Sequence, residues 1–325
     1  MSPVSACSQA YGLRLRPELP LSTRLAQAAP GEPDVRVELG DVPSPSGTEE
    51  IWRTRIDGAT VTVDRHGDAA LTIRFGDEAS FRIDPGTRVV TCAPRRGADR
   101  VRWERFLLDT VLWSTALVHG RIALHAAAVA DGDGAIAVVG GTGGGKTSVA
   151  LALLRRGGAL VSDDVLVVSS EPHAVIAHPA PPVMNVDVAA DPELRASVGR
   201  VLGTFGEEHW LDVSPSVQTV VPLRAVVVLT RSSRASRAYA KSPRDALLTL
   251  EAHSVSLPGL PRLHVRRRFD VLADVAARVP VLDLRVPPSL PADAIADLVE
   301  TLPSLAREPG SLPERREWTE RVVIR

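Results

Sequence analysis

Through the first third of the chain apolar residues alternate with polar ones: Val35, Val37 and Leu39, then Val61 and Val63, Leu71, Ile73 and Phe75, and Phe81 and Ile83. A period of two puts alternate side chains on one face and predicts half-buried strands. Asp57-Gly58, His66-Gly67-Asp68 and Pro85-Gly86 supply turns between them. Consecutive strands are therefore expected to pair as antiparallel hairpins or a meander. The polar, proline-bearing stretch from Pro43 to Glu50 reads as a loop.

The period changes near residue 100. Trp103, Phe106, Leu107, Thr110, Trp113 and Leu117 fall on one helical stripe, which predicts a single amphipathic helix with both tryptophans in the core. We place a boundary there: a β-rich N-terminal domain over 1–100, and a second domain over 101–325 that includes the helix. Ile122 to Ala130 is apolar apart from His125, and Ala135 to Val139 follows across Asp131-Gly132-Asp133-Gly134. The pair predicts a β-hairpin. A turn centred between Gly132 and Asp133 sets His125 opposite Gly140.

Val149 to Leu154 is apolar on nearly every side, and Arg155, Arg156 and Gly157 close it as a helix C-terminus. Ala159 to Ser162 then reads as a strand running parallel to the one before the helix, ending at Asp163-Asp164. Beyond Val165 to Ser169 the expectations are a short helix within Asp191 to Gly206, a buried strand at Ala225 to Leu229 and a helix over Asp245 to Glu251. Two more helices, Phe269 to Val279 and Ala292 to Leu302, flank a strand at Val281 to Val286, and the tail from Arg307 is peripheral.

The candidate chemistry sits between hairpin and helix. Gly140, Gly141, Thr142, Gly143, Gly144, Gly145, Lys146 and Thr147 fit the pattern G-x-x-x-x-G-K-[ST] in its strand-to-helix context. Glycines let the backbone wrap an anion with its N–H groups inward, and the helix opening at Ser148 adds its positive end. Residues 140–148 are thus the expected nucleotide-binding set, with Lys146 reaching the β/γ-phosphates and Thr147 offering its hydroxyl to Mg²⁺. Strand direction carries Asp163 and Asp164 toward the same phosphates. His173 and His178 read as surface residues, Glu207-Glu208-His209 as a solvated loop, and the Arg262 to Arg268 cluster as an exposed basic face.

Composition narrows the partners. The 38 basic and 39 acidic residues leave a formal charge of −1, which gives no support for nucleic acid or a membrane surface. No window approaches the ~18 apolar residues of a membrane span, and the start carries no secretory pattern. Cys7 and Cys92 match neither a metal pattern nor a disulfide framework, so a cytoplasmic protein is expected.

The order Leu124-His125-Ala126, hairpin, phosphate loop, then Leu153 to Asp164 resembles the HPr kinase/phosphorylase superfamily. It is closest to the divergent HPr-kinase-like proteins of peptide natural-product biosynthesis, the lasso-peptide type, which also open with a Tyr-Gly-Leu segment such as Tyr11-Gly12-Leu13. The well-matched part covers about 45 residues, and the family more often has Gly where Ala126 stands. The resemblance implies an α/β P-loop kinase domain of the HPr kinase type, a mixed sheet with flanking helices, preceded by a smaller β-rich N-terminal domain. It implies an ATP- and Mg²⁺-dependent kinase acting on a serine of a peptide or protein, and a homo-oligomer. Asp163 would take the serine proton, Asp164 and Thr147 would bind the metal, and His125 would lie near the reacting phosphate. No counterpart of the family's second signature follows residue 170, so phosphorylase activity and HPr docking are not carried over. A P-loop ATPase acting as a nucleotide-dependent regulator, and a small-molecule (amino acid) kinase, remain alternatives.

Overall fold

The alternating segments form β1 (Ser8–Ala10), β2 (Leu13–Pro17), β3 (Ala26–Gln27), β4 (Val35–Leu39), β5 (Glu49–Ile56), β6 (Ala59–Arg65), β7 (Leu71–Phe75), β8 (Ala79–Asp84) and β9 (Val89–Pro94). The computed structural model describes residues 7–44, 47–56, 58–189, 197–232, 234–257 and 262–306, with the side chains of 262 and 263 outside the description. The nine strands join in one sheet, ordered β3-β1-β2-β4-β9-β8-β7-β6-β5. From β5 to β9 the pairing is the antiparallel meander that the alternation predicts. However, β4 pairs in parallel with both β2 and β9. After β4 the chain crosses to the far edge and returns strand by strand, so its last strand arrives running the same way as β4. Glu49 and Glu50 begin β5 and are not part of the expected loop.

The stripe after residue 100 is not one regular helix. Asp99 caps α1 (Arg100–Phe106) by accepting from the Val101 N–H at 2.9 Å. A π-helical turn, Leu107–Val111, then separates it from α2 (Leu112–Val118). The wider turn buries Leu107, Leu108 and Val111 together and gives Asp109 a place beside the apolar stripe. Phe106 stacks on Phe75 of β7 at 4.1 Å between centroids. The same core includes Ala123, Val165, Val167 and Trp210 from later in the chain, so apolar packing runs unbroken across residue 100.

The second half contains β10 (Ile122–Asp131), β11 (Gly134–Val139), α3 (Lys146–Arg155), β12 (Ala159–Ser162), β13 (Val165–Ser170), β14 (Val175–Ala177), β15 (Val183–Asp187), β16 (Gly199–Phe205), β17 (Glu208–Val213), β18 (Val221–Arg231), β19 (Arg237–Ala240), α4 (Pro243–Ala252), β20 (Ser254–Val255), α5 (Arg262–Arg278), β21 (Val281–Val286) and α6 (Ala292–Leu305). Strands β11, β18 and β21 lie parallel and side by side. Their near-continuous apolar runs are covered on both faces: α3 and α6 pack on one, α4 and α5 on the other. Strands β15, β17 and β16 form a small separate sheet. Within the span expected to hold a short helix, residues 197–198 are helical and 199–205 are strand; 191–196 lie outside the described residues. Glu208 and His209 lie on β17 and not in a loop. Among the described residues no helix is long and apolar enough to cross a membrane.

Candidate functional site

The hairpin fixes one side of the site. Asp131 faces Gly134 and Ala126 faces Val139, the register of a turn centred between Gly132 and Asp133. One residue beyond that ladder, the His125 N–H leaves β11 and donates to the His253 carbonyl at 2.7 Å. Strand β10 changes partners here. Its second half pairs with β11 and its first half with β20, while β12 and then β13 line its other edge in the same direction.

Asp163 and Asp164 are therefore a kink in an otherwise continuous edge. The Ala126 N–H still bonds to the Asp164 carbonyl at 3.0 Å, so the backbone stays in place while Asp164 turns into the left-handed region at φ 69°. Aspartate tolerates that region better than most residues. The turn sends the two carboxylates apart. Asp163 Oδ1 accepts from the Thr147 hydroxyl at 3.3 Å, and Oδ2 from the Asn185 N–H at 3.2 Å. Asp164 Oδ1 lies 3.2 Å from His125 Nδ1. The kink gives Thr147 to Asp163 and His125 to Asp164, whereas the resemblance implies Thr147 and Asp164 as the metal-binding pair. Burial, and then the charge of Asp164, push the Asp163 carboxyl up to about 7.

On the other side the phosphate loop runs from β11 into α3. Gly140 is buried; Gly141, Thr142 and Gly143 are exposed at the tip, and Ser148 is exposed on the first turn of α3. Gly145 is the N-cap at φ 93°, with Arg231 about where a Cβ would sit, 3.1 Å away. At Gly144 a Cβ would stand 2.8 Å from the Gly141 carbonyl, so the loop closes on itself as only glycine allows. The Lys146 ammonium, buried, donates to the Gly140 and Gly141 carbonyls at 3.2 and 3.5 Å. Arg231, at the end of β18, donates to the Gly144 carbonyl at 3.2 Å and to Pro288 and Leu290 carbonyls at 2.9 Å each. It ties the loop to the segment before α6.

Several residues at the site had no sequence signal of their own. Asn185 on β15 accepts from Arg105 Nε at 2.9 Å and donates to Asp109 Oδ2 at 3.0 Å, while its backbone holds Asp163. Burial pushes the Asp109 carboxyl up to about 6 against the lowering effect of Asn185 and Arg105. His253 stands near His125 and Lys146, whose charges, after burial, lower its pKa. Tyr11, which the sequence offered only through the Tyr-Gly-Leu resemblance, is fully inside and feels Asp109, Asp164 and Asp163. Arg231 alone followed a readable rule: ligands in parallel sheets gather at the carboxyl ends of strands, and it ends a buried one.

Beyond Asp164 and His125 opens a cavity of about 590 Å³ bounded by β5 to β7, the α1–α2 segment, Asn185 and residues 255–257. Trp113 lines it, half-buried and packed against the core, whereas Trp103 is buried within that core. Among the described residues no cluster of three or more His, Cys, Asp or Glu side chains forms a ready metal cage.

No protein-family model matches the sequence, and no curated protein does. Among solved structures, the HPr(Ser) kinase/phosphatase from Coxiella burnetii is similar at 17% identity and a TM-score of 0.30, over 57% of this chain and 95% of that one.

Proposed function

We propose that the chain transfers the γ-phosphoryl group of ATP to a hydroxyl, that of a serine in a peptide or protein. The supporting observation is that one kink places Thr147 against Asp163 beside the glycine loop and Lys146, and Asp164 against His125 at the cavity mouth. The loop N–H groups and Lys146 hold the phosphates, Lys146 exchanging loop carbonyls for phosphate oxygens. Thr147 Oγ1 and Asp163 would hold Mg²⁺: they are hard oxygen donors at one spot, and Mg²⁺ needs only one or two protein oxygens beside phosphates and water. Bound there, the ion supplies positive charge to the phosphate oxygens and to the crowded carboxylates.

The acceptor approaches from the cavity. Its oxygen bonds to the γ-phosphorus as the bond to the ADP oxygen breaks, and its proton passes to Asp164, which His125 orients. This reading exchanges the roles of the two aspartates relative to the family resemblance. With γ-labelled ATP and a serine peptide, Asp164→Asn is expected to lower kcat by ~10²–10⁴-fold while Mg-ATP affinity stays close to wild type. Asp163→Asn is expected to raise the Mg²⁺ concentration needed for half-maximal rate. If Asp164→Asn turns over at the wild-type rate, the assignment fails. Label appearing only as free phosphate would favour a nucleotide-dependent regulator instead. The cavity volume, about 590 Å³, favours, as second reading, a small hydroxyl compound as acceptor.

A further inference from the structure

We infer that the cavity beyond Asp164 is the acceptor site and that it selects a primary hydroxyl carried next to a large, uncharged apolar group. The inference rests on the phosphotransferase reading and adds the substrate class to it. The cavity volume, about 590 Å³, is within the ordinary range of small-ligand sites. One end holds His125 and Asp164; the walls are Trp52, Ile56, Phe75, Phe106, Trp113 and Leu257. No residue of the phosphate loop or α3 is among its lining, so the space lies on the far side of the acids from the nucleotide phosphates.

Both guanidiniums on the walls are already engaged. Arg105 meets Asn185, Glu208 at 2.8 Å and Asp109 at 3.6 Å, and Arg102 meets Glu78 at 3.4 Å. A charged group entering would have to break into these pairs and would lose its water. An apolar group would gain the full benefit of leaving water. The Ser114 Oγ, buried in the wall, has no hydrogen-bond partner. The chemistry is met either by a serine beside a large apolar residue or by a free apolar alcohol.

The test uses the full chain with N-acetyl-Phe-Ser-amide, N-acetyl-Lys-Ser-amide and 3-phenylpropan-1-ol. Binding is followed by tryptophan fluorescence, since Trp52 and Trp113 line the space, and transfer by γ-labelled ATP. The Phe peptide is expected to exceed the Lys peptide in kcat/KM by about 10- to 100-fold. Thr110→Phe, which fills the cavity, should cut that ratio to within about threefold. Trp52→Ala, at the exposed rim, should lower it without threatening the fold. Labelling of the alcohol alone would identify the free compound as the source, within the same inference. Equal rates for the two peptides with transfer intact would overturn the acceptor site and leave the kinase reading standing. Fluorescent binding of the Phe peptide with no transfer would do the reverse. No binding to wild type, or competition by adenosine, would also overturn it.

Discussion

Asn185 is the residue on which the carboxylates of the site converge. It holds Asp109, Arg105 and, through its backbone, Asp163. Asn185→Ala removes both side-chain bonds and takes one hydrogen bond from the half-buried Asp109 carboxyl. Loss of about 1–3 kcal/mol is expected, read by urea denaturation; an unchanged midpoint would show that the network is slack. Cys92 makes a second prediction. Burial pushes its thiol up to about 12, and the thiolate is the reactive form. Native protein should react with a thiol reagent far more slowly at Cys92 than unfolded protein does, in a timed mass measurement. At this scale the sequence was legible where function is contiguous. The phosphate loop, Lys146 and the paired acids announce themselves within a short stretch, whereas Asn185 and Asp109 arrive from a distant strand and a π-helical turn whose residues carry no period. His178 was read as surface and is instead packed against Gly12 and bonded to Ser169 Oγ at 2.9 Å, because an isolated histidine gives no burial signal.

Elements store the next consequences. His178 directly follows β14, and burial, followed by the charge of Arg121, lowers its pKa to about 4. The ring is therefore neutral in the fold, while an unfolded chain takes up the proton near pH 6.5. Stability is full above that pH and declines as pH falls from about 6.5 to 4, by at most ~3 kcal/mol. His178→Gln should flatten that limb of a pH series of melting temperatures; an unaltered limb would place the effect elsewhere. The α3 N-cap gives another test. Gly145→Ala imposes a left-handed conformation costing about 1–2 kcal/mol and pushes a methyl against Arg231, so weaker ATP binding is expected by calorimetry. The strand and helix patterns were readable because burial follows their periods. The helix after residue 100 was legible only in outline: an apolar stripe marks the face but not a turn with one residue too many.

Across the whole molecule, packing does not stop where composition and period change. Phe106, Val165, Val167 and Trp210 share one core with the N-terminal sheet, so the chain is expected to unfold in a single cooperative transition, with far- and near-ultraviolet circular dichroism melting together. Two separated transitions would contradict the shared core. The mixed topology was legible in the second half, where β-α-β order constrains direction, and less so in the first. Alternation tells which face is buried and not which neighbour a strand takes, and so the parallel β4 was hidden. The kinked edge at Asp163-Asp164 has one more implication. A single rung of backbone separates the glycine loop and its contacts from the cavity that β5 to β7 help to wall. On the phosphotransferase proposed above, exchange of β5 to β7 for those of a relative should transplant selectivity while the reaction itself carries on, making the first third of the chain the place where new recipients would be acquired.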